Sequence, residues 1–274
     1  MMFFLNLLAC SASHSLKSQY LLAERFWTEG NYAAAVAEFD KVSQRDPKGR
    51  LGLQALFRSA NTQYLFLQDY WESIRKYRLF IDRSSEAAAV WEAKKQIGEI
   101  LYTKLELYDQ AISLYKALLG ERPDAADSPE FLYRIARSEF YLWRFAEALR
   151  NYQDLATRFS ESIWGEKAAF ELGRVYFTQG DQQESVRRGG RERDSTFQSA
   201  IESFRRFMKK YPKSLYSLEA RFGIASCLEE MDQLDAALAE FSALEESYPS
   251  RSVVQLRMSR LRSRLKNRSQ KTKS

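Results

Sequence analysis

Two cysteines, one histidine and a few paired carboxylates are the side chains from which this 274-residue sequence would have to build a reactive site. Cys10 has the most distinctive setting: residues 1–9 (MMFFLNLLA) are apolar apart from Asn6, and the small residue Ala9 immediately precedes the thiol. A thiol at the end of a greasy N-terminal stretch suits acylation of its sulfur better than catalysis. His14 lies in a polar stretch, residues 11–18, with no cysteine or carboxylate at ligand spacing, so no metal site forms around it. Cys227 falls within the apolar pattern of Ile224, Ala225 and Leu228, which suits burial, and the two cysteines give no disulfide framework. Glu229-Glu230 and Glu245-Glu246 read as solvated helix faces. No phosphate-binding glycine loop, Gly-x-Ser-x-Gly elbow or paired-carboxylate motif occurs. The residues therefore point to a protein that is not an enzyme and needs no cofactor and no metal.

The elements that position side chains announce themselves as a repeat. A large residue, a small residue three positions on, an aliphatic neighbour and an aromatic or phenylalanine three beyond that occur six times. The sets are Tyr32, Ala35, Val36, Phe39; Tyr70, Ser73, Ile74, Tyr77; Tyr108, Ala111, Ile112, Tyr115; Phe145, Ala148, Leu149, Tyr152; Phe197, Ala200, Ile201, Phe204; and Leu234, Ala237, Leu238, Phe241. The small residues recur at intervals of 38, 38, 37, 52 and 37. Such a period means stacked helical hairpins. With five prolines, eleven glycines and no long alternating β-branched run, the chain reads as all-α: about six hairpins and a C-terminal capping helix. No apolar run approaches the roughly 20 residues that span a bilayer.

Each hairpin pairs a helix A with a helix B that carries the quartet. A small side chain on helix B lets helix A approach, and the aromatic fills the gap to the next hairpin. Ser73 and Glu99 stand where small apolar residues are expected, which predicts looser second and third hairpins. Pro47, Pro123, Pro212 and Pro249 fall at helix B exits, while Ser128-Pro129 reads as N-cap and first turn of a helix A. The 52-residue interval implies an insertion at residues 182–196, polar and centred on Gly189-Gly190, in the A-to-B turn of the fifth hairpin.

Over residues 16–250 the chain resembles the tetratricopeptide-repeat family. Leu172-Gly173, Tyr176, Gly180, Phe197, Ala200, Phe204 and Pro212 fill the signature positions, as do Gly30, Asn31-Tyr32, Ala35, Phe39 and Pro47. Leu7-Leu8-Ala9-Cys10 looks like a bacterial lipobox, which would make residues 1–10 a lipoprotein signal segment and Cys10 the lipidated residue. Nine residues precede Cys10 and none is basic, which a start codon placed too far downstream would explain.

Within that family the chain is similar to the outer-membrane assembly lipoproteins of the BamD kind. The resemblance rests on Cys10, on hairpins longer than the usual unit, and on the run Arg191-Glu192-Arg193-Asp194 leading through Phe197 to Tyr211-Pro212-Lys213-Ser214-Leu215-Tyr216. That family usually has five hairpins with the insertion in the middle one; here it falls in the fifth of six. The resemblance implies a protein-binding scaffold, lipid-anchored in the outer membrane and facing the periplasm. Its partners would be β-barrel assembly subunits or unfolded outer-membrane proteins, and Ser11 would favour outer-membrane sorting. The alternative is a generic soluble or periplasmic tetratricopeptide adaptor with a basic tail.

Helix A lines the binding face of such an array, which places Tyr20 and Trp27, then Arg58, Leu65 and Phe66, on it. Further along, Tyr133, Arg134, Arg137, Phe140 and Tyr141, then Phe170, Arg174 and Phe177, follow. Of these, Trp27, Arg58, Phe66, Tyr133, Arg134, Arg137, Tyr141, Phe170 and Arg174 form the expected peptide or partner groove, arginines beside aromatics. Residues 251–274 hold nine Lys or Arg and no acid, so the rest of a chain of net charge +6 carries −3. The segment opens as a helix through Val253, Val254, Leu256, Leu261 and Leu265 and reads as disordered beyond Lys266. It could meet anionic lipid headgroups or an acidic partner, or simply cap the last hairpin. Lacking any aromatic residue, it offers no stacking platform for specific nucleic-acid binding.

Overall fold

The computed structural model describes the backbone of residues 2–185 and 190–271 and the side chains of residues 15–182 and 191–270. Cys10 and His14 lie outside the described side chains, and the centre of the expected insertion, residues 186–189, lies outside the described backbone. Among the described residues there are thirteen α-helices and no strand. None of these helices is long and apolar enough to cross a membrane.

The chain divides into two compact units, Met1–Leu118 and Leu119–Ser274. In the first, α1 (Met2–Thr28) pairs with α2 (Tyr32–Arg45), α3 (Arg50–Thr62) with α4 (Tyr70–Arg83), and α5 (Ala87–Thr103) with α6 (Tyr108–Glu121). In the second, α7 (Ser128–Tyr141) pairs with α8 (Phe145–Arg158), α9 (Ile163–Ser185) with α10 (Gly190–Lys210), and α11 (Ser217–Glu230) with α12 (Leu234–Leu244). Helix α13 (Arg251–Lys271) then lies against α12. The six hairpins and the capping helix follow the sequence pattern.

The reason is visible in the quartets. Ala35, Ser73, Ala111, Ala148, Ala200 and Ala237 have no exposed surface, and the matching Phe39, Tyr77, Tyr115, Tyr152, Phe204 and Phe241 are at most 2% exposed. These positions are therefore the seams at which helices A and B close. Phe204 shows how tight a seam is: a Cβ on Gly173 of α9 would sit 2.5 Å from its ring, and one on Gly223 of α11 would sit 2.6 Å away. Only a hydrogen at both positions lets this ring lie between two A helices.

The second and third hairpins are not looser at the two departures. Ser73 is fully buried, and its hydroxyl donates to the Ala60 carbonyl at 2.8 Å, which satisfies the polar group inside the seam. In the third hairpin the small residue is Gly98, whose position faces Tyr115, so Glu99 was one residue out of register and points partly to solvent. In the fourth hairpin Asp127 rather than Ser128 precedes the helix, and Pro129 stays in its first turn.

The expected loop at residues 182–196 is largely helix. Helix α9 runs 23 residues and α10 runs 21, against 14 for α7, α8 and α11 in the same unit. The Gln, Glu and Arg that made this stretch look like a loop are also good helix formers. Arg193 fastens the extension: it donates to the Glu230 carbonyl at 3.0 Å, pairs with the Glu230 carboxylate at 2.5 Å and lies over the Phe197 ring at 4.8 Å. Its cation thus meets the carbonyl-rich C-terminus of α11.

The C-terminal segment is also more ordered than its composition suggested, since α13 continues past Lys266 to Lys271. Val254, Met258 and Leu261 are buried, whereas Val253 and Leu256 face out. Arg257 pairs with Glu229 at 3.1 Å, Arg264 with Asp232 at 3.0 Å, and Arg268 with Asp232 as well. Much of the basic charge of the segment is thus matched within the unit it caps.

Candidate functional site

Helix α3 contributes the longest series of side chains to a broad cleft in the first unit. Arg50, Leu53, Gln54, Phe57 and Arg58 follow at i, i+3, i+4, i+7 and i+8, so all project from one face of that helix into a space of 880 Å³. Tyr20 enters from α1, Phe80 from α4, and Glu86 and Glu92 from the start of α5. Lys48, from the α2–α3 connection, completes the basic side. The cleft is therefore lined by aromatic rings, by basic residues on and just before α3, and by acidic residues at the start of α5.

Arg58, expected in the groove, lines this cleft, but its charge is already engaged. Nε and Nη2 donate to the two carboxylate oxygens of Glu24 at 3.0 and 2.8 Å, and the guanidinium lies 4.5 Å from the Trp27 ring centroid. This bidentate geometry fixes the arginine and leaves it a positioned donor plate. Tyr20 packs edge-on against Phe39 at 5.5 Å. Its hydroxyl is pushed above the usual phenol range by burial and then by the Glu24 charge, so it stays a neutral donor.

Trp27 and Phe66 meet each other rather than the cleft. Their rings touch edge to face at 5.5 Å, and Phe66 stacks on Tyr32 at 4.1 Å. A π-helical turn, Gln63–Leu67, ends α3 here and turns Leu65, Phe66 and Leu67 outward, each at least 38% exposed. The expected trio is thus in continuous contact, Arg58 over Trp27 and Trp27 against Phe66, but only Arg58 lines the cleft.

In the second unit Tyr133, Arg137 and Arg174 gather around one carboxylate, with Tyr141 joined to it through Arg137. Glu171 of α9, 4% exposed, accepts at Oε1 from Arg137, from Arg174 at 3.0 Å and from the Tyr133 hydroxyl at 3.2 Å. Arg137 also donates to the Tyr141 hydroxyl through Nε at 3.1 Å and Nη2 at 2.9 Å. Burial, the largest single influence, opposes the Arg137 charge, but the Glu171 carboxylate together with Tyr133, Tyr152 and the Tyr141 hydroxyl outweighs it and holds the guanidinium above its usual range. Arg134 pairs with Glu130 at 2.5 Å. These arginines are thus matched by glutamates.

Phe170 is a correction. It is 7% exposed and packs on Phe207 at 5.5 Å, Phe204 at 5.8 Å and, stacked, on Tyr216 at 5.1 Å. One residue is about 100° of helix, so while Glu171 faces α7, Phe170 turns into the core beside α10. Phe177 likewise packs against that core, its ring 5.8 Å from Phe197.

Two groups with reactive chemistry are sealed. Lys76 donates to Ser59 Oγ at 2.7 Å and to both Asp40 oxygens at 2.8 and 2.9 Å, with Ser59 wholly buried and Lys76 1% exposed. The hydroxyl and amine lie buried among side chains of α2, α3 and α4, with Asp40 reaching the surface. Burial pushes the Cys227 thiol up to about 12, so it remains protonated at neutral pH. Among the described residues no group of three His, Cys, Asp or Glu is placed to hold a metal ion.

Known proteins agree on the architecture. Residues 133–187 and 219–250 match two family models, each described as tetratricopeptide repeat. No curated protein matches the sequence. Among solved structures, the C-terminal part of a TPR repeat-containing protein from Cytophaga hutchinsonii superposes with a TM-score of 0.56 at 16% identity, covering 83% of this chain and 78% of that one. PilW, described as a widely conserved type IV pilus biogenesis factor, gives 0.53 at 13% identity over 88% of this chain and 97% of its own. YrrB, described as a TPR protein with an unusual peptide-binding site, gives 0.50 at 14% identity over 79% and 95%. At these identities the likeness is one of fold.

Proposed function

We propose that this tetratricopeptide-repeat protein is a non-enzymatic scaffold that captures a segment of another protein on the A-helix face of its first unit. The observation that carries the reading is the 880 Å³ cleft, with Tyr20 and Phe57 at its base and charged side chains on both walls. Aromatic anchors beside charged donors are the composition of surfaces that hold polypeptide. In the second unit Arg134 is matched by Glu130, and Arg137 and Arg174 by Glu171, so these arginines are less available to a partner in this reading.

The proposal extends to place and partner. The run Leu7-Leu8-Ala9-Cys10 supports lipidation at Cys10 and anchoring in the outer membrane, facing the periplasm. The resemblance to lipoproteins of the BamD kind supports a role in assembling β-barrel outer-membrane proteins, with assembly subunits or unfolded barrels as partners. Mass spectrometry of the native N-terminus after membrane fractionation, wild type against Cys10→Ala, tests the anchor. An acylated Cys10 in the outer-membrane fraction, lost in the variant, is the expected result. An unmodified N-terminus in the soluble fraction overturns the envelope reading and leaves a soluble adaptor. Affinity purification from solubilised envelopes then tests the partner, and recovery without any β-barrel assembly subunit refutes the assembly role.

A further inference from the structure

The charges of the first-unit cleft are unequal in availability, and that inequality specifies a ligand. Arg58 is held by Glu24, and Glu92 pairs with Lys95 at 3.0 Å and accepts from Gln96 at 2.9 Å. Lys48 and Arg50, by contrast, are exposed and make no ion pair among the described residues. On the facing wall Glu86 is exposed and its carboxylate is likewise unpaired. Two available cations therefore stand on the α3 side against one available carboxylate on the α5 side. Phe57 and Tyr20 line the same cleft.

From this complementarity we infer that the cleft takes a peptide segment in which an acidic residue neighbours a large aromatic one. The carboxylate bonds to Lys48 and Arg50, and the ring settles on Phe57 and Tyr20. Glu86 sets the sense of docking, because a second acid on the α5 side would meet a like charge while a neutral or basic residue there would not. Charge-assisted bonds at the rim and a desolvated ring at the base divide the work between orientation and affinity. This inference rests on the reading of the A-helix face as a protein-capture surface and adds the chemistry of what is captured.

The test is fluorescence anisotropy of the full chain with short fluorescein-labelled peptides, amidated at the C-terminus, carrying Asp-Phe, Lys-Phe or Asp-Ala in a Gly-Ser background. Asp-Phe should bind tightest, with both others weaker by about tenfold or more. Lys48→Glu with Arg50→Glu, both exposed and remote from the seams, should reverse the preference to Lys-Phe with unchanged helicity. Glu86→Lys should admit an Asp-Phe-Asp peptide that wild type disfavours. Equal binding of Asp-Phe and Lys-Phe, or an unreversed preference in the double variant, overturns the acidic-aromatic assignment while leaving protein capture standing. Binding of none of the probes overturns the assignment too, and photocrosslinking from Phe57 in cells then decides the capture reading separately.

Discussion

Removing Asp40 should cost far more than removing the lysine it neutralises. The Lys76 side chain is 2% exposed and that of Asp40 31%, so water can reach the acid but not the amine. Lys76 makes three hydrogen bonds, two of them to Asp40, and its other carboxylate neighbour, Glu72, stands 3.8 Å away and pairs with Arg75 at 2.5 Å. Asp40→Ala therefore leaves a buried ammonium with one hydroxyl partner and a shared, distant counter-charge. Breaking a buried pair from one side costs about 3–5 kcal/mol, and the residual help from Glu72 places this case near 3 kcal/mol. Lys76→Met removes the charge together with its desolvation, Asp40 rehydrates, and the cost should be about 0–1.5 kcal/mol. The double variant should resemble Lys76→Met. Because repeat arrays open in parts, hydrogen exchange at α3 and α4 amides should accompany urea unfolding followed by circular dichroism. An Asp40→Ala protein within about 1 kcal/mol of wild type, or a Lys76→Met protein as damaged as Asp40→Ala, would refute the reasoning.

Three further outcomes follow from local geometry. Glu106 holds a φ of +52° at the α5–α6 turn, a left-handed conformation that glycine adopts without penalty, so Glu106→Gly should raise stability by about 0.5–1 kcal/mol in thermal unfolding. Gly173→Ala should lose about 1–3 kcal/mol by pressing on Phe204, and Phe204→Leu in the same chain should recover part of it by removing the ring atoms the new methyl meets. The Glu72 carboxyl is held below the ordinary carboxylate range by the hydrogen bond from Arg75 and by the charges of Arg75 and Lys76, against the opposing effect of burial. Its contribution to stability is complete above its unfolded pKa of about 4.3 and is lost as pH falls through the lower folded value, so Glu72→Gln should flatten the acid limb of the stability profile.

The hairpins were legible because their cause is local and repeated. Each small residue of the quartet marks a close approach that only Ala, Ser or Gly permits, and each aromatic fills the gap beside it. The partners of the expected arginines were not legible from the arginines alone. Glu24 meets Arg58 and Glu171 meets Arg137 at a separation of 34 residues, one hairpin onward along successive A helices. Opposite charges at that offset are the signal that would have found them. Phe170 was misplaced because aromatic type does not say which of two adjacent helical positions faces the core, and about 100° separates them. Lys48 and Arg50 escaped notice because a turn and a helix start fall outside an A-helix face count, although the Arg50, Leu53, Gln54, Phe57, Arg58 series is itself a readable stripe. The turns hid their conformation as well: among the described residues Gln68, Glu106, Trp143 and Asp232 all hold positive φ, and only Gly30 advertises it by type. The extension of α9 and α10 was hidden by polar composition, which describes an exposed helix as readily as a loop.

The central claim is that protein segments dock in the first-unit cleft, and site-specific photocrosslinking in cells measures it most directly. A photoreactive phenylalanine at Phe57 reports from the cleft base, and one at Leu114, on the groove between α4, α5 and α6, serves as the comparison. The account predicts discrete protein adducts from position 57 that fade in the Lys48→Glu/Arg50→Glu background and are absent from position 114. Equal adducts from both positions, or none from position 57 in a folded protein, would contradict it.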